Sequence, residues 1–128
     1  MSRILIVEDE KNLRLLYATE LAAEGYEIVT ASTAEEGIGI LNSDPPDCVV
    51  MDIRMPGMDG LEALGRILER HPNLPVILNS AYSSYRENFL SWTADAYIVK
   101  SSDLGPLKDA VRRAVHGGSR RIAHPAAP

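Results

Sequence analysis

The chain has 128 residues, enough for one domain with a buried core. Its formal net charge is −5 and its pI is about 5.1, which argues against nucleic-acid binding because a surface that follows phosphates is normally basic. A single cysteine, Cys48, excludes an intramolecular disulfide and is typical of a reducing compartment. The N-terminus leads directly into an apolar strand pattern and no apolar run reaches about 20 residues, so we expect a cytoplasmic protein with no membrane partner.

Short apolar runs alternate with segments of helical period along the whole chain. The predicted strands are Ile4–Val7, Glu27–Ala31, Cys48–Met51, Val76–Asn79 and Ala96–Val99. Helices are predicted over residues 10–23, over 34–41, from Gly60 to just before Pro72, over 84–92, and from near Asp103. Because the strands are almost continuously apolar and each is followed by a helix, we expect an α/β fold with a parallel sheet covered on both faces.

Local signals set the predicted boundaries of these elements. Thr33 with Glu36 three residues later predicts a capping box, and Asp59 predicts the N-cap of the third helix. Cys48 lies inside an apolar run and is predicted to be a packed core thiol. After His116 the composition becomes rich in Gly, Arg and Pro, so we expect one domain over residues 1–116 and a flexible tail or linker over 117–128.

Polar side chains stand where the predicted strands end. Glu8 and Asp9 follow the first strand, Asp52 follows the third, and Lys100 follows the fifth. The carboxyl ends of parallel strands form one edge of the sheet, where open α/β folds bind ligands. Carboxylates gathered there repel by about 4 kcal/mol per close pair at ~4 Å and an effective dielectric near 20. Lys100 and a hard cation such as Mg²⁺, which shares its shell with phosphate, would offset that repulsion.

Other kinds of site lack their sequence patterns. The three histidines are scattered without zinc-ligand spacing, and no Ser-His-Asp order is suggested. Acidic residues stand after the first strand, where a nucleotide-binding protein carries a glycine-rich loop. Ser80, after the fourth strand, instead places a hydroxyl beside the same edge, as a phosphoryl site requires.

Four segments, in order and at strand ends, resemble the receiver domain of bacterial two-component response regulators. They are Ile4 to Asp9, Met51 to Gly60, Ser80-Ala81 and Tyr97 to Lys100. The resemblance covers about residues 2–116 and implies the flavodoxin-like, doubly wound (βα)5 fold with a five-stranded parallel sheet in the order 2-1-3-4-5. It implies a signalling domain that supports only its own phosphotransfer and autodephosphorylation, and is not otherwise an enzyme.

The resemblance also implies roles for individual residues. Asp52 would accept a phosphoryl group from a sensor histidine kinase or a phosphotransfer protein. Mg²⁺ would be held by Asp9, Asp52 and the backbone carbonyl of Arg54, with Glu8 acting through water. Lys100 would contact the phosphoryl oxygens.

Signal output would follow from a coupled movement of two side chains. By the resemblance, Ser80 would turn toward the phosphoryl group and Tyr97 would rotate into the vacated space. The surface of the fourth helix, fifth strand and fifth helix would then change for a downstream protein, an effector domain or a second copy of the chain. Arg54 and Tyr82, two residues after Asp52 and Ser80, are expected to shield the phosphoryl group from water and tune its lifetime.

The chain departs from the family pattern at three positions, and its residues also allow other interpretations. Glu8 stands where many receivers carry aspartate, and Ser80 where many carry threonine. Ser101 replaces the usual proline after Lys100, so we expect a trans peptide there. Asp52 alone could be a strand-end cap, and Tyr97 a packing residue. The alternative functions are a constitutive interaction module that is not phosphorylated, or a Mg²⁺-dependent phosphohydrolase, which would need a second acid after the nucleophile and a substrate cap.

Overall fold

The structure is a computed structural model that describes residues 1–82 and 93–117. These residues form five strands, β1 (Arg3–Val7), β2 (Glu27–Ala31), β3 (Cys48–Met51), β4 (Val76–Ser80) and β5 (Ala96–Val99). They also form four helices, α1 (Lys11–Ala23), α2 (Ala34–Ser43), α3 (Gly60–Arg70) and α4 (Gly105–Gly117). Every predicted strand is therefore present within one residue of its expected bounds. The predicted helix over residues 84–92, and the predicted tail beyond Gly117, lie outside the described residues.

All neighbouring strands are parallel and follow the order β2-β1-β3-β4-β5, which confirms the predicted doubly wound fold. In the central pairs, Val7 of β1 lies beside Met51 of β3, and Met51 lies beside Leu78 of β4. The residues that follow these strands consequently reach the same edge of the sheet.

Alternate residues of the strands pack into two separate cores. On one face, Leu5, Val49 and Leu78 pack with α2 and α3. On the opposite face, Ile6 and Val50 pack with α1 and α4. Cys48 is fully buried in the second core, and burial raises the pKa of its thiol, as expected for a structural cysteine. Leu16 of α1 is 43% exposed, although its spacing from Leu13, Tyr17 and Leu21 is typical of a buried helix face.

Two predicted N-caps are confirmed, whereas the second half of the capping box and the start of the last helix differ from the prediction. Thr33 Oγ1 accepts a hydrogen bond from Glu36 N at 3.1 Å, although the Glu36 carboxylate returns to Ser32 N rather than to Thr33 N. The N-cap role of Asp59 is confirmed by its 2.9 Å bond from Glu62 N. The last helix begins at Gly105, not near Asp103, because Asp103 Oδ1 accepts from Gly105 N at 2.9 Å and forms a side-chain turn before the helix.

None of the helices in the described ranges is long and apolar enough to cross a membrane. The same ranges contain no cis peptide bond, so the predicted trans Lys100–Ser101 bond is confirmed.

Candidate functional site

Main-chain hydrogen bonds extend the sheet just past its strand ends and so position the polar residues there. Glu8 N donates to Ala31 O at 3.1 Å, and Asp52 N donates to Val7 O at 3.1 Å. Lys100 N donates to Ser80 O at 2.7 Å. Because the main chain of these residues is hydrogen-bonded to the neighbouring strand, the positions of their side chains at the sheet edge are defined.

The structure brings together the three predicted carboxylates. One carboxylate oxygen each from Glu8, Asp9 and Asp52 lies within 4.8 Å of the others. Glu8 is 2% exposed and Asp52 is 7% exposed, whereas Asp9 faces solvent. The cluster is therefore open on the side of Asp9 and closed beneath Glu8 and Asp52.

Lys100 joins this cluster as its counter-charge. Its Nζ lies 2.7 Å from Glu8 Oε1 and 3.1 Å from Asp52 Oδ2. Burial disfavours the charged ammonium, but the hydrogen bond with Glu8 and the charges of both acids outweigh it, so the pKa of Lys100 is raised. The second Asp52 oxygen, Oδ1, accepts from Ile53 N at 2.7 Å, so both oxygens of this carboxylate are oriented.

The charges in the site do not balance among the protein groups alone. Burial raises the pKa of Glu8, and the contacts with Lys100 and Glu10 N only partly oppose that change. Three carboxylates face one ammonium, which leaves an excess of negative charge. The possible metal ligands are all carboxylate oxygens, and the one from Asp9 is exposed. Such a set fits Mg²⁺ that keeps several of its waters.

The predicted switch and lifetime residues meet around the loop after β4. Ser80 is fully buried, and its Oγ accepts from Tyr82 N at 3.2 Å. The Tyr97 hydroxyl donates to the carbonyl oxygen of Tyr82. The Arg54 guanidinium carbon lies 4.8 Å from the centre of the Tyr82 ring, within the range of a cation–π contact. Tyr82 thus touches each of the other three residues.

Two residues near the site were not singled out from the sequence. Arg14 Nη1 donates to the main-chain carbonyl oxygens of Glu8 at 2.9 Å and Asp9 at 3.4 Å. A positive side chain in the first turn of a helix opposes the helix dipole, and this was the available signal. Asn79 is 3% exposed, and a polar residue inside an apolar strand was the corresponding signal.

Comparison with known proteins identifies relatives over nearly the whole chain. The response regulator receiver domain family matches residues 4–112. Regulatory protein AtoC of Escherichia coli is 38% identical over 117 residues, which is 90% of this chain and 25% of AtoC. The DNA-binding transcriptional regulator NtrC of Salmonella typhimurium is 35% identical over 114 residues, which is 88% of this chain and 24% of NtrC. The chain thus spans about a quarter of the length of these relatives.

Solved structures agree with this assignment. The response regulator TrrA from Thermotoga maritima, in complex with Mg²⁺-BeF, is 46% identical with a TM-score of 0.86, over 88% of this chain and 98% of TrrA. The structure of histidine kinase ThkA in complex with TrrA matches with a TM-score of 0.84 at 46% identity, over 88% of this chain and 97% of the matched chain. The acidic edge, the strand order and the match over residues 4–112 together show that this chain belongs to the response regulator receiver domain family of two-component systems.

Proposed function

We propose that this receiver accepts a phosphoryl group on Asp52 from the phosphohistidine of a sensor histidine kinase or phosphotransfer protein, with Mg²⁺ as cofactor. The observation that carries the proposal is the placement of the Asp52 carboxylate beside both the acidic pair and Lys100, with both of its oxygens oriented. The related TrrA, solved with Mg²⁺-BeF and with the kinase ThkA, supports the choice of metal and donor.

The metal would be held by Asp9, Asp52 and the backbone carbonyl of Arg54, with Glu8 contacting it through water. When bound, Mg²⁺ supplies positive charge that offsets the charge on the phosphoryl oxygens. The excess of negative charge in the described site gives these residues a physical reason to bind a dication.

The transfer itself requires little beyond positioning and charge. A carboxylate oxygen of Asp52 attacks phosphorus, the new P–O bond forms, the P–N bond to the donor histidine breaks, and the histidine leaves. Lys100 is already within 3.1 Å of Asp52, so its ammonium can contact the phosphoryl oxygens after a small movement. Removal of the group by water reverses the modification and returns Asp52 to its free form.

Phosphorylation would act on Ser80 and Tyr97. A phosphoryl group adds about −1.5 to −2 charges and three strong acceptors, so it attracts the Ser80 hydroxyl as a donor. Ser80 and Tyr97 both bond to the main chain of Tyr82, so movement of one alters the surroundings of the other. The output would be a protein contact at β5, α4 and the predicted helix over residues 84–92, which lies outside the described residues. The recipient would be an effector domain, a downstream protein or a second copy of this chain, not nucleic acid.

The test is incubation with Mg²⁺ and acetyl phosphate followed by intact-mass measurement. We expect one phosphoryl group on the wild type and on Asp109→Asn, a matched control at a half-exposed position of α4, and none on Asp52→Asn. Addition to Asp52→Asn at the wild-type level would refute the assignment of the acceptor. If the wild type neither binds Mg²⁺ nor gains mass, the chain is instead the constitutive interaction module.

A further inference from the structure

The loop between β1 and α1 carries two of the three acids, and one cation from α1 reaches back to it. Arg14 Nη1 donates to the carbonyl oxygens of Glu8 at 2.9 Å and of Asp9 at 3.4 Å. Both acceptors are main-chain atoms. Arg14 therefore fixes where the backbone of the acidic pair lies and leaves both carboxylates available.

Apart from the main-chain bond from Glu8 N to Ala31 O, the other restraints on this loop depend on a carboxylate that belongs to the site. Glu10, the N-cap residue of α1, makes no side-chain cap hydrogen bond, and the first turn of the helix holds no acidic residue. Glu10 N donates instead to Glu8 Oε2 at 3.1 Å, while Glu8 Oε1 is 2.7 Å from Lys100. Rotation of the Glu8 carboxylate toward a bound metal would weaken these bonds. The Arg14 bonds do not involve the carboxylates and remain.

The position of Arg14 is not explained by the stability of its helix. A cation near a helix N-terminus is unfavourable, because the exposed N–H groups there already carry partial positive charge. Arg14 is nevertheless half-buried, in the first turn of α1, and directed at two carbonyl groups. Its gain comes from those carbonyls, which belong to the residues that approach the metal.

We infer that Arg14 is a positioning residue for the Mg²⁺ site, and this inference rests on the proposed function. It holds the main chain of Glu8 and Asp9 so that their carboxylates converge on Asp52. Loss of a group that orients metal ligands typically weakens metal affinity by about 10- to 100-fold. Because Arg14 acts on the backbone and one of its two bonds is long, we expect a change near the lower end, about 10-fold.

The test measures Mg²⁺ affinity by calorimetry with no phosphodonor present. Arg14→Gln removes the charge and the two-carbonyl contact, whereas Lys11→Gln removes an equal charge from the exposed start of the same helix. We expect the Kd to rise about 10-fold in Arg14→Gln and to stay within about twofold of the wild type in Lys11→Gln. If Arg14 acts only through its charge, both variants bind Mg²⁺ more tightly by a similar factor, and the inference is wrong.

Two further measurements separate positioning from folding and from the proposed function. Labelling by acetyl phosphate should be slow in Arg14→Gln at low Mg²⁺ and return to the wild-type rate at saturating Mg²⁺; a rate that stays low at saturation would mean general damage and overturn the inference. Arg14→Lys keeps the charge, but its side chain is one atom shorter than the path to Nη1, so it should also weaken binding. Absence of Mg²⁺ binding by the wild type would overturn the proposed function and this inference together, whereas wild-type affinity in Arg14→Gln would overturn the inference alone.

Discussion

Gly60, the first residue of α3, offers the sharpest test of how the backbone positions Asp52. A Cβ at this position would lie 2.1 Å from the carbonyl oxygen of Asp52 and 2.8 Å from Ile53 Cα. Both are main-chain atoms, and Gly60 N also donates to Ile53 O at 2.7 Å, so the two segments are already in direct contact. Gly60→Ala therefore cannot be absorbed by a side-chain rotation, and the backbone at Asp52 must move by roughly 1 Å to restore an ordinary contact.

The size of the effect follows from that displacement. A misplacement of about 1 Å at a reacting group can lower a rate by about 100-fold. Overpacking costs about 1–3 kcal/mol, and replacing glycine in a helix returns up to about 1 kcal/mol, so we expect a net loss of about 0–3 kcal/mol in the free energy of unfolding. The phosphorylation rate of Gly60→Ala should therefore fall by more than its loss of stability alone would cause.

The assay is the time course of acetyl phosphate labelling at saturating Mg²⁺, with unfolding in urea measured in parallel. Gly65→Ala is the matched control on the same helix, because a Cβ there meets nothing within 4 Å. It should keep the wild-type rate and gain up to about 1 kcal/mol of stability. Labelling of Gly60→Ala at the wild-type rate, with unchanged stability, would refute the argument that close backbone contact positions Asp52.

Three further predictions address the side chains of the site. Arg54→Ala and Tyr82→Ala should each speed dephosphorylation. Because the two side chains contact each other, the effect of the double variant should fall short of the sum of the two single effects by a coupling of about 0.5–1 kcal/mol. Unchanged rates in both single variants would exclude shielding. Because burial raises the pKa of Glu8 above 4.5, the folded state binds more protons, so the Glu8 contribution to stability in EDTA falls as pH rises from 4.5 through the raised pKa. Glu8→Gln should remove that decline, and a pH profile parallel to the wild type would contradict the sign. Lys100→Ala should lower the free energy of unfolding in EDTA by up to about 3 kcal/mol, because two buried acids lose their counter-charge. In saturating Mg²⁺ the loss should be smaller. An equal loss in both conditions would contradict the charge argument.

The sequence was sufficient to predict the fold because each strand is a short apolar run with a clear end. Placing Glu8, Asp52 and Lys100 after those runs also predicted that they would meet, since parallel strands end at one edge. The predicted start of α4, near Asp103, was two residues too early. The sequence pattern includes Asp103 in the helix, whereas its side chain forms a turn just before the helix begins.

Other features of the site depend on distances that no local pattern contains. The contact of Gly60 with the Asp52 carbonyl joins residues separated by a whole loop, and glycine at a helix start is unremarkable in sequence. The acceptors of Arg14 were also not predictable, because they are main-chain atoms; the sequence signalled only a positive side chain near the start of a helix. Such contacts become visible only when the backbone path is known.

The alternation of the strands suggests why phosphorylation of one carboxylate would reach a distant surface. Two residues before Lys100, Ile98 packs with α1 and α4, whereas two residues before Ser80, Leu78 packs with α2 and α3. Lys100 and Ser80 therefore approach the sheet edge from opposite faces, and Tyr97 packs on the same face as Leu78. A phosphoryl group on Asp52 would attract donors from both faces at once. The ammonium of Lys100 needs only to exchange acceptors, but Ser80 is buried and bonded to Tyr82, so the response should be concentrated on the face that holds Tyr97.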